Sequence, residues 1–298
     1  MNRPVVAGVD GSPGSLAAAQ EAAREASLRE APLHLVHGYL HPLGYGVPLN
    51  PYDLGVPAPT EAAQTMLEQT ARELAGRWPG LRIDVRQVAG GPGATLVEES
   101  RHAELVVVGS RGLGGFAGLL LGSVGTQVAA HAHCPVLVVR PPDGPVPAGG
   151  PVLVGVDGSE SAELAVGYAA DEAVRRGVAL VLAHVDTDDD RAGEQVSPTA
   201  GEGDDAATAP GDAPPALLAT ALAAVRGSHP GLTVTGRTLR ASSAGQALVE
   251  ASGAATLVVV GTRGRGGFAG MLLGSVSQAL VQHARCPVLV AHPYDRAP

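Results

Sequence analysis

A glycine-rich stretch that occurs twice constrains the fold of this chain more than any other feature. Residues 109–123 read GSRGLGGFAGLLLGS, and residues 261–275 repeat this almost letter for letter as GTRGRGGFAGMLLGS. Each stretch follows the apolar run LVVV, which is typical of a buried strand, and precedes a segment compatible with a helix. The sequence therefore predicts, twice, a strand, a glycine-rich loop and a helix in succession.

The composition of these loops predicts that they bind an anion. Gly109, Gly112 and Gly122 permit main-chain conformations closed to other residues and let main-chain N–H groups approach a ligand. The helix that follows adds its unpaired N–H groups and the positive end of its dipole, which favours a phosphate. The matching glycines of the second copy are Gly261, Gly264 and Gly274.

The repeat also predicts two domains. Asp10 and Asp157 both open an Asp-Gly-Ser turn, offset by 147 residues (157 − 10), whereas the glycine loops are offset by 152 (261 − 109). The chain has 298 residues, enough for about two domains. We predict the first domain at residues 1–141, a linker rich in Pro and Gly at 142–150, and the second domain at 151–298.

Strands and helices alternate within each copy, which predicts a doubly wound α/β fold with a mainly parallel sheet. In such a sheet ligands bind beyond the carboxyl ends of the strands, where the strand order reverses. If the first and fourth strands flank that point, the Asp10 turn and the Gly109 loop face one crevice. In the first copy we predict strands at residues 5–9, 33–37, 81–88, 105–108 and 135–140, and helices at 15–30, 60–78, 94–102 and 124–132.

The net charge and the cysteine content limit the ligands and partners that the chain can bind. The net charge of −9 argues against nucleic acid, which needs a basic face. Cys134 and Cys286 occupy matching positions before apolar runs, so we expect small core residues without metal-ligand spacing. No run approaches 18 apolar residues and the chain begins as a strand and turn, so we expect a cytoplasmic protein with no membrane contact.

Over nearly its whole length the chain resembles the universal stress protein family, in the nucleotide-binding subgroup and the tandem two-domain form. The family's nucleotide motif is Gly, two residues, Gly, nine residues and Gly-Ser/Thr, and both copies match it. The motif positions are Gly109, Gly112, Gly122 and Ser123 in the first copy, and Gly261, Gly264, Gly274 and Ser275 in the second.

The resemblance implies an adenine nucleotide, ATP with or without Mg²⁺, as the ligand. Asp10 and Asp157 match the acidic residue that lies near the ribose and phosphates in the family. Val185 matches a residue that packs near adenine, whereas the first copy has Gly38 at that position.

The resemblance extends to the arrangement of the strands. It implies the strand order 3-2-1-4-5 and a pairing of the domains through their last strands, residues 136–140 with 288–292. It also places Val124 and Val276, which follow the motif serines, among the nucleotide-binding residues.

Several candidates also have a purely structural alternative. Asp10 and Asp157 are turn formers whose carboxylates can accept a nearby main-chain N–H. Ser123 and Ser275 can act as helix caps.

Charged and titratable residues near the loops have alternatives as well. Arg111 and Arg263 lie inside the glycine loops, where a guanidinium can meet a phosphate or remain a solvated surface group. His37 and His184 end the second strand of each copy, and we interpret them as partly buried structural residues rather than catalytic ones.

Two other nucleotide motifs do not fit. A P-loop needs Lys-Ser/Thr after its last glycine, and Ser123-Val124 and Ser275-Val276 lack that lysine. Residues 112–117 and 264–269 match G-x-G-x-x-A, but no acidic residue occurs from 105 to 142 to bind the ribose of NAD.

The segments after the second strands differ between the copies. Residues 39–59 are apolar, hold three of the five tyrosines, and are expected to fold over the first site. Residues 186–215 are acidic and low in hydrophobicity, and we expect them to be disordered.

We conclude from the sequence that the chain is a stress-response protein that binds an adenine nucleotide in one or both domains and signals occupancy to a regulatory protein partner. We assign no catalytic residue and no metal ligand, and expect at most a slow ATPase. Two alternatives stay open: an ATP-hydrolysing or nucleotidyl-transferring enzyme on the same fold, and a nucleotide-free interaction scaffold. Whether two chains form a homodimer is also open.

Overall fold

The structure is a computed structural model that describes residues 2–39, 59–112, 122–140, 149–187, 215–264 and 273–294. Four predicted features lie wholly or mostly outside these residues: the acidic disordered segment, the apolar loop after residue 39, the linker, and the middle of each glycine loop. The chain divides into two units, Met1–Pro141 with His292–Pro298, and Pro142–Ala291.

The first unit alternates strands and helices from end to end. Its elements are β1 Val5–Gly8, α1 Pro13–Leu28, β2 Leu33–Tyr39, α2 Pro59–Arg77, β3 Ile83–Ala89, α3 Pro92–Glu99, β4 Leu105–Gly109, α4 Ser123–His131 and β5 Val136–Val139.

All described strand pairs of the first unit are parallel, in the order β3-β2-β1-β4-β5. Val5 of β1 pairs with Leu33 of β2 on one side and with Leu105 of β4 on the other. This topology confirms the predicted doubly wound α/β fold and the strand order that the family resemblance implies.

The second unit repeats the same succession. Its elements are β6 Val152–Gly155, α5 Glu160–Arg176, β7 Leu180–Asp186, α6 Ala216–Ser228, β8 Val234–Arg240, α7 Ala244–Ala251 with a 3₁₀ turn at Ser252–Ala254, β9 Leu257–Gly261, α8 Ser275–His283 and β10 Val288–Ala291. Its strands are also parallel, in the order β8-β7-β6-β9-β10.

The central strands form the core of each unit because their side chains are apolar on both faces. Val5, Val6 and Ala7 of β1 are completely buried, as are Val106 and Val107 of β4. Such continuous Val-rich runs are typical of parallel strands covered by helices on both sides. No helix in the described ranges has both the length and the apolar character needed to cross a membrane.

Close packing of α3 on β1 recurs in the second unit. A methyl group added at Gly8 would lie 2.6 Å from Leu96 Cδ1, and one at Gly155 would lie 3.1 Å from Leu248 Cδ1. A glycine in the first strand therefore receives a leucine of the third helix in both units.

Both cysteines lie in the core, as predicted. Cys134 and Cys286 are buried beside the strands β4 and β9, and burial raises the pKa of each thiol to about 12. Because thiolates are the reactive form, these residues are inert packing groups at neutral pH.

Three helical glycines give a test of the helix assignments. Gly76, Gly167 and Gly227 lie in α2, α5 and α6, and nothing within 4 Å would meet an added methyl group. Replacing each by alanine is expected to raise the free energy of unfolding by about 0.5–1 kcal/mol, measured by chemical denaturation. Gly177→Ala is the matched control: its surroundings are equally open, but its φ of 63° makes alanine unfavourable, so stability should fall instead.

Candidate functional site

The strand order reverses between β1 and β4, and this is where the first predicted site lies. The chain runs from β1 outward through β2 to β3 on one side, and from β4 to β5 on the other. The carboxyl ends of β1 and β4 are thus adjacent, and the segments leaving them diverge. A crevice at such a point is the usual ligand site of this fold.

The turn after β1 holds the Asp10 carboxylate in a fixed position. The main-chain N–H of Ser12 donates to Asp10 Oδ1 at 2.9 Å, and Gly11 has a φ of 82° that favours glycine. The Ser12 hydroxyl accepts from the N–H of Ser15 at 3.2 Å and caps α1. The turn-forming role of Asp10 is therefore observed, and it fixes the carboxylate beside the start of a helix.

The glycine loop after β4 lies directly against this turn. A methyl group at Gly112 would lie 2.5 Å from Asp10 Oδ2, and one at Gly14 would lie 2.5 Å from the Arg111 carbonyl oxygen. The Ser12 hydroxyl is also 3.5 Å from that carbonyl oxygen. The structure thus brings together two segments about 100 residues apart in sequence, and only glycine fits at their contact.

The second unit repeats this contact. Asp157 Oδ1 accepts from the N–H of Ser159 at 2.9 Å and from its hydroxyl at 2.7 Å. A methyl group at Gly264 would collide with Asp157 Oδ2, and one at Gly261 would lie 2.7 Å from the Ser161 carbonyl oxygen. The repeated carboxylate and glycine contact shows that both units carry the same constellation.

Helix α4 presents its N-terminus to the first crevice. Gly122 is the cap residue, and its N–H donates to the Ser110 carbonyl oxygen at 2.8 Å. The first main-chain bond inside the helix comes from Thr126, which donates to the Gly122 carbonyl at 3.0 Å. The N–H groups of Ser123, Val124 and Gly125 therefore come before the first hydrogen bond inside the helix. N–H groups at this position of a helix are the ones that bind anions.

Helix α8 has the same start in the second unit. The N–H of Gly274 donates to the Thr262 carbonyl oxygen at 2.8 Å, and Gln278 donates to the Gly274 carbonyl at 2.9 Å. The Ser277 hydroxyl adds a bond of 2.7 Å to the Gly261 carbonyl oxygen. The end of β9 is thereby tied to the helix that follows it.

The serine cap alternative is wrong. The cap positions are Gly122 and Gly274, whereas Ser123 and Ser275 are the first residues inside their helices and are exposed. An exposed hydroxyl at the first helical residue remains available to a ligand in the crevice.

His37 and His184 have the structural role that we expected, although they do not end their strands: β2 and β7 each continue for two residues beyond them. His37 Nδ1 lies 2.7 Å from the Val9 carbonyl oxygen, and His184 Nδ1 lies 3.0 Å from that of Val156. Because a carbonyl can only accept, Nδ1 is the donor in both. Each histidine thus connects the second strand of its unit, through a hydrogen bond, to the residue just before Asp10 or Asp157.

Known proteins are similar to this chain in sequence and in structure. The family model described as the universal stress protein family matches residues 1–140 and again residues 150–292. This chain belongs to the universal stress protein family. A universal stress protein of Mycolicibacterium smegmatis is 40% identical over 296 residues, which cover 97% of either chain.

A solved structure has the same fold over its whole length. A universal stress protein from Archaeoglobus fulgidus DSM 4304 is 20% identical, covers 98% of both chains and superposes with a TM-score of 0.69. Another universal stress protein, solved in complex with cAMP, is 31% identical, covers 47% of this chain and 97% of its own, and has a TM-score of 0.36.

The other residues of this universal stress protein that we predicted to bind the nucleotide differ in the exposure of their side chains. Arg111 and Arg263 are exposed at the start of the glycine loops, Val124 and Val276 are partly exposed, and Val185 is buried. In the part of the chain that the structure describes, no group of three or more His, Cys, Asp or Glu side chains has an arrangement that could hold a metal ion by itself.

The sequence analysis did not identify the serine of the two Asp-Gly-Ser turns, Ser12 and Ser159, as a site residue. Ser12 and Ser159 cap the first helix of each unit. The Ser12 hydroxyl also donates to the Arg111 carbonyl oxygen in the glycine loop, and the Ser159 hydroxyl donates to the Asp157 carboxylate. The signal was present, because each serine follows Asp-Gly and is repeated at the offset of 147 (159 − 12).

Proposed function

We propose that this universal stress protein binds ATP or a related adenine nucleotide in the crevice of each unit and signals occupancy to a partner protein. The observation that carries the proposal is the contact of the Asp10 and Asp157 carboxylates with the second glycine of each glycine loop. Main-chain N–H groups of the glycine loop and the following helix can bind phosphates, and the neighbouring carboxylate can accept from hydroxyl groups. Together they suit a ligand that has both.

The order of the strands suggests how a nucleotide would lie. The loop after β4 and the N-terminus of α4 offer main-chain N–H groups to the phosphates. Asp10, at the end of the adjacent strand, is positioned for ribose hydroxyls. A Mg²⁺ ion carried by the nucleotide would fit here too, because a carboxylate oxygen and phosphate oxygens are ligands that this ion prefers.

The sequence favours binding over rapid turnover. All 20 Lys and Arg residues are arginines, so no lysine clamp of the kind used for phosphoryl transfer exists anywhere in the chain. His37 and His184 are engaged with main-chain carbonyl groups. We therefore propose a sensor that hydrolyses ATP slowly at most, and that acts in the cytoplasm.

Ser123→Glu and Ser275→Glu test the location of the two sites. Both serines are exposed at the first helical residue, where a glutamate is favourable to the helix dipole, so the fold should be retained. A negative charge near a triphosphate costs about 1.4 kcal/mol or more at an effective dielectric constant of about 20, so each substitution should weaken its own site at least tenfold.

The measurement is isothermal titration of ATP and Mg²⁺ into protein freed of nucleotide. The wild type should bind at both sites, each single variant should lose one, and the double variant should lose both. Ser123→Gln and Ser275→Gln, which have the same size without the charge, should retain binding. A wild type that binds nothing at millimolar ATP would instead support the nucleotide-free scaffold, and a double variant that binds normally would place the nucleotide elsewhere.

A further inference from the structure

We infer that Ser277 is a positioning residue of the second site: its buried hydroxyl holds the first turn of α8 ready for the nucleotide phosphates, a support that the first site does not have. The inference rests on the proposed function. It starts from one hydrogen bond, in which the Ser277 hydroxyl donates to the carbonyl oxygen of Gly261 at 2.7 Å. Ser277 is 2% exposed, so water does not compete for this bond.

This hydrogen bond joins the two segments that form the proposed phosphate site. Gly261 is the last residue of β9, and Ser277 is the third residue of α8. The N–H groups of Ser275, Val276 and Ser277 come before the first hydrogen bond inside the helix. The Ser277 hydroxyl therefore fixes the turn whose N–H groups are offered to the phosphates.

The first unit has a glycine at this position. Gly125 is the counterpart of Ser277 at the offset of 152 (277 − 125), and it has no side chain that could reach β4. The hydroxyl of Thr126, the next residue, bonds within α4, because it donates to the Gly122 carbonyl oxygen at 3.1 Å. Glycine also gives the first turn of α4 more conformational freedom than serine gives α8. The N–H groups of α4 must therefore lose more freedom when they bind phosphates, which weakens binding.

Other anchors of these two helices are the same in both units. At the start of each helix, the N–H of the glycine cap donates to a carbonyl oxygen of the loop at 2.8 Å. Just after the end of each helix, a main-chain N–H donates to a buried serine hydroxyl at 2.9 Å. The donor and the acceptor are His133 and Ser100 in the first unit, and Arg285 and Ser252 in the second. Compared with these shared anchors, the Ser277 bond is particular to the second unit.

The charges near the two glycine loops also differ. Arg265 in the second loop replaces Leu113 of the first, whereas residues 186–215 add acidic groups to the second unit. These charges act on phosphate binding in opposite directions, so a comparison of the two wild-type sites does not isolate the hydroxyl. Ser277→Ala isolates it, because all charges stay the same within one site.

The test uses a chain that keeps only the second site through Ser123→Glu. This protein, with and without Ser277→Ala, is titrated with Mg²⁺–ATP and with inorganic tripolyphosphate, which has phosphates but no base. We expect Ser277→Ala to weaken the binding of both ligands about fivefold, equivalent to about 1 kcal/mol. The two losses should be equal, because the hydroxyl acts on the phosphate end of the site alone.

Ser252→Ala is the matched control. It also removes a buried serine hydroxyl that anchors α8, but one that lies beyond the opposite end of the helix from the phosphates. Both substitutions should lower the melting temperature by several degrees, whereas Ser252→Ala should leave the affinity for tripolyphosphate unchanged. An equal loss of affinity in Ser252→Ala would show general destabilisation of the unit and would overturn the inference.

A measurement without ligand tests the physical cause. In NMR relaxation of the free wild-type protein, the N–H order parameter of Val276 should exceed that of Val124, because only the helix of Val276 has the serine hydroxyl bond. Ser277→Ala should lower the order parameter of Val276 to that of Val124. Equal order parameters in the wild type would contradict the ordering role of Ser277 whether or not a nucleotide binds.

The outcomes separate this inference from the proposed function. ATP binding at neither site would overturn both. ATP binding that is normal in the wild type, together with an unchanged affinity for tripolyphosphate in Ser277→Ala, would overturn the inference alone. A loss of ATP affinity in Ser277→Ala that tripolyphosphate does not share would also overturn it, because the effect would then lie at the base or the ribose.

Discussion

Replacing Arg29 by methionine is expected to lower the free energy of unfolding by about 3–5 kcal/mol. Arg29 pairs with Glu25 four residues earlier in α1, and the two side chains are 5% and 0% exposed. Its Nε also lies 3.5 Å from Glu104 Oε1, just before β4. The substitution takes the positive charge away from a fully buried carboxylate, whose desolvation then costs far more than the lost packing.

The second unit provides a matched comparison for this prediction. Glu172 and Arg176 repeat the pair at the offset of 147 (172 − 25), and Glu172 also pairs with Arg175. Arg176→Met should therefore cost less than Arg29→Met, because a second guanidinium remains beside the carboxylate.

A double variant separates charge from packing. Glu25→Leu combined with Arg29→Met removes both charges and should recover most of the loss, measured by guanidinium chloride denaturation. Equal losses for the single and double variants would show that the side-chain shape of Arg29, rather than its charge, stabilises α1.

The approach of the Asp10 turn to the Gly109 loop could be predicted from the sequence together with the strand order that the family resemblance implies, because that order places β1 beside β4. Apolar runs, turns and helical segments alternate so regularly that a parallel sheet is the simplest arrangement, and such a sheet collects the ends of its strands at one edge. The repeat made the prediction stronger, since Asp157 and Gly264 had to obey the same arrangement.

The position of helix starts was less predictable because it depends on local hydrogen bonds. Helix α1 begins at Pro13, two residues before the predicted start, since the Ser12 hydroxyl caps it. Helix α3 begins at Pro92 rather than residue 94, with Gly91 as its cap. In α4 the cap is a glycine and the serine lies inside, a distinction that only the main-chain conformation reveals.

The buried ion pairs and the Gly38 contact could not be predicted in the same way. Glu25 and Arg29 have the spacing of an ordinary surface pair, and only the packing of α1 against the sheet buries them. Gly38 leaves a gap in the sequence pattern of β2, but the backbone of α3 fills it. Both depend on distances between elements, and a single sequence does not encode those distances in any local pattern.

His292 is expected to make the stability of the first unit fall as the pH drops below 6.5. It is buried, its Nε2 lies 2.9 Å from the carbonyl oxygen of Ala129 in α4, and Tyr294 donates to the Glu104 carbonyl at 3.0 Å. Burial lowers the pKa of His292 from 6.5 to about 4, against the opposing hydrogen bond to Ala129, with His131 and His133 nearby disfavouring a further positive charge.

The sign of the pH effect follows from this lowered pKa. Above pH 6.5 the imidazole is neutral in both folded and unfolded chains, so it adds no pH dependence. Between pH 6.5 and 4 the unfolded chain takes up a proton that the folded unit does not, and stability falls by about 1.4 kcal/mol per pH unit, or about 3 kcal/mol in all, (6.5 − 4) × 1.36. Below pH 4 the loss levels off, because the folded unit binds the proton as well.

His292→Gln isolates this contribution, because its amide N–H can donate to the Ala129 carbonyl and does not titrate. Chemical denaturation at several pH values from 7.5 to 4 should show a steeper loss for the wild type than for the variant, since all other groups titrate in both proteins. The imidazole resonance of His292 in NMR spectra should titrate near pH 4. Parallel stability curves, or a resonance that titrates near 6.5, would mean that the ring is open to water and that His292 is not held against α4.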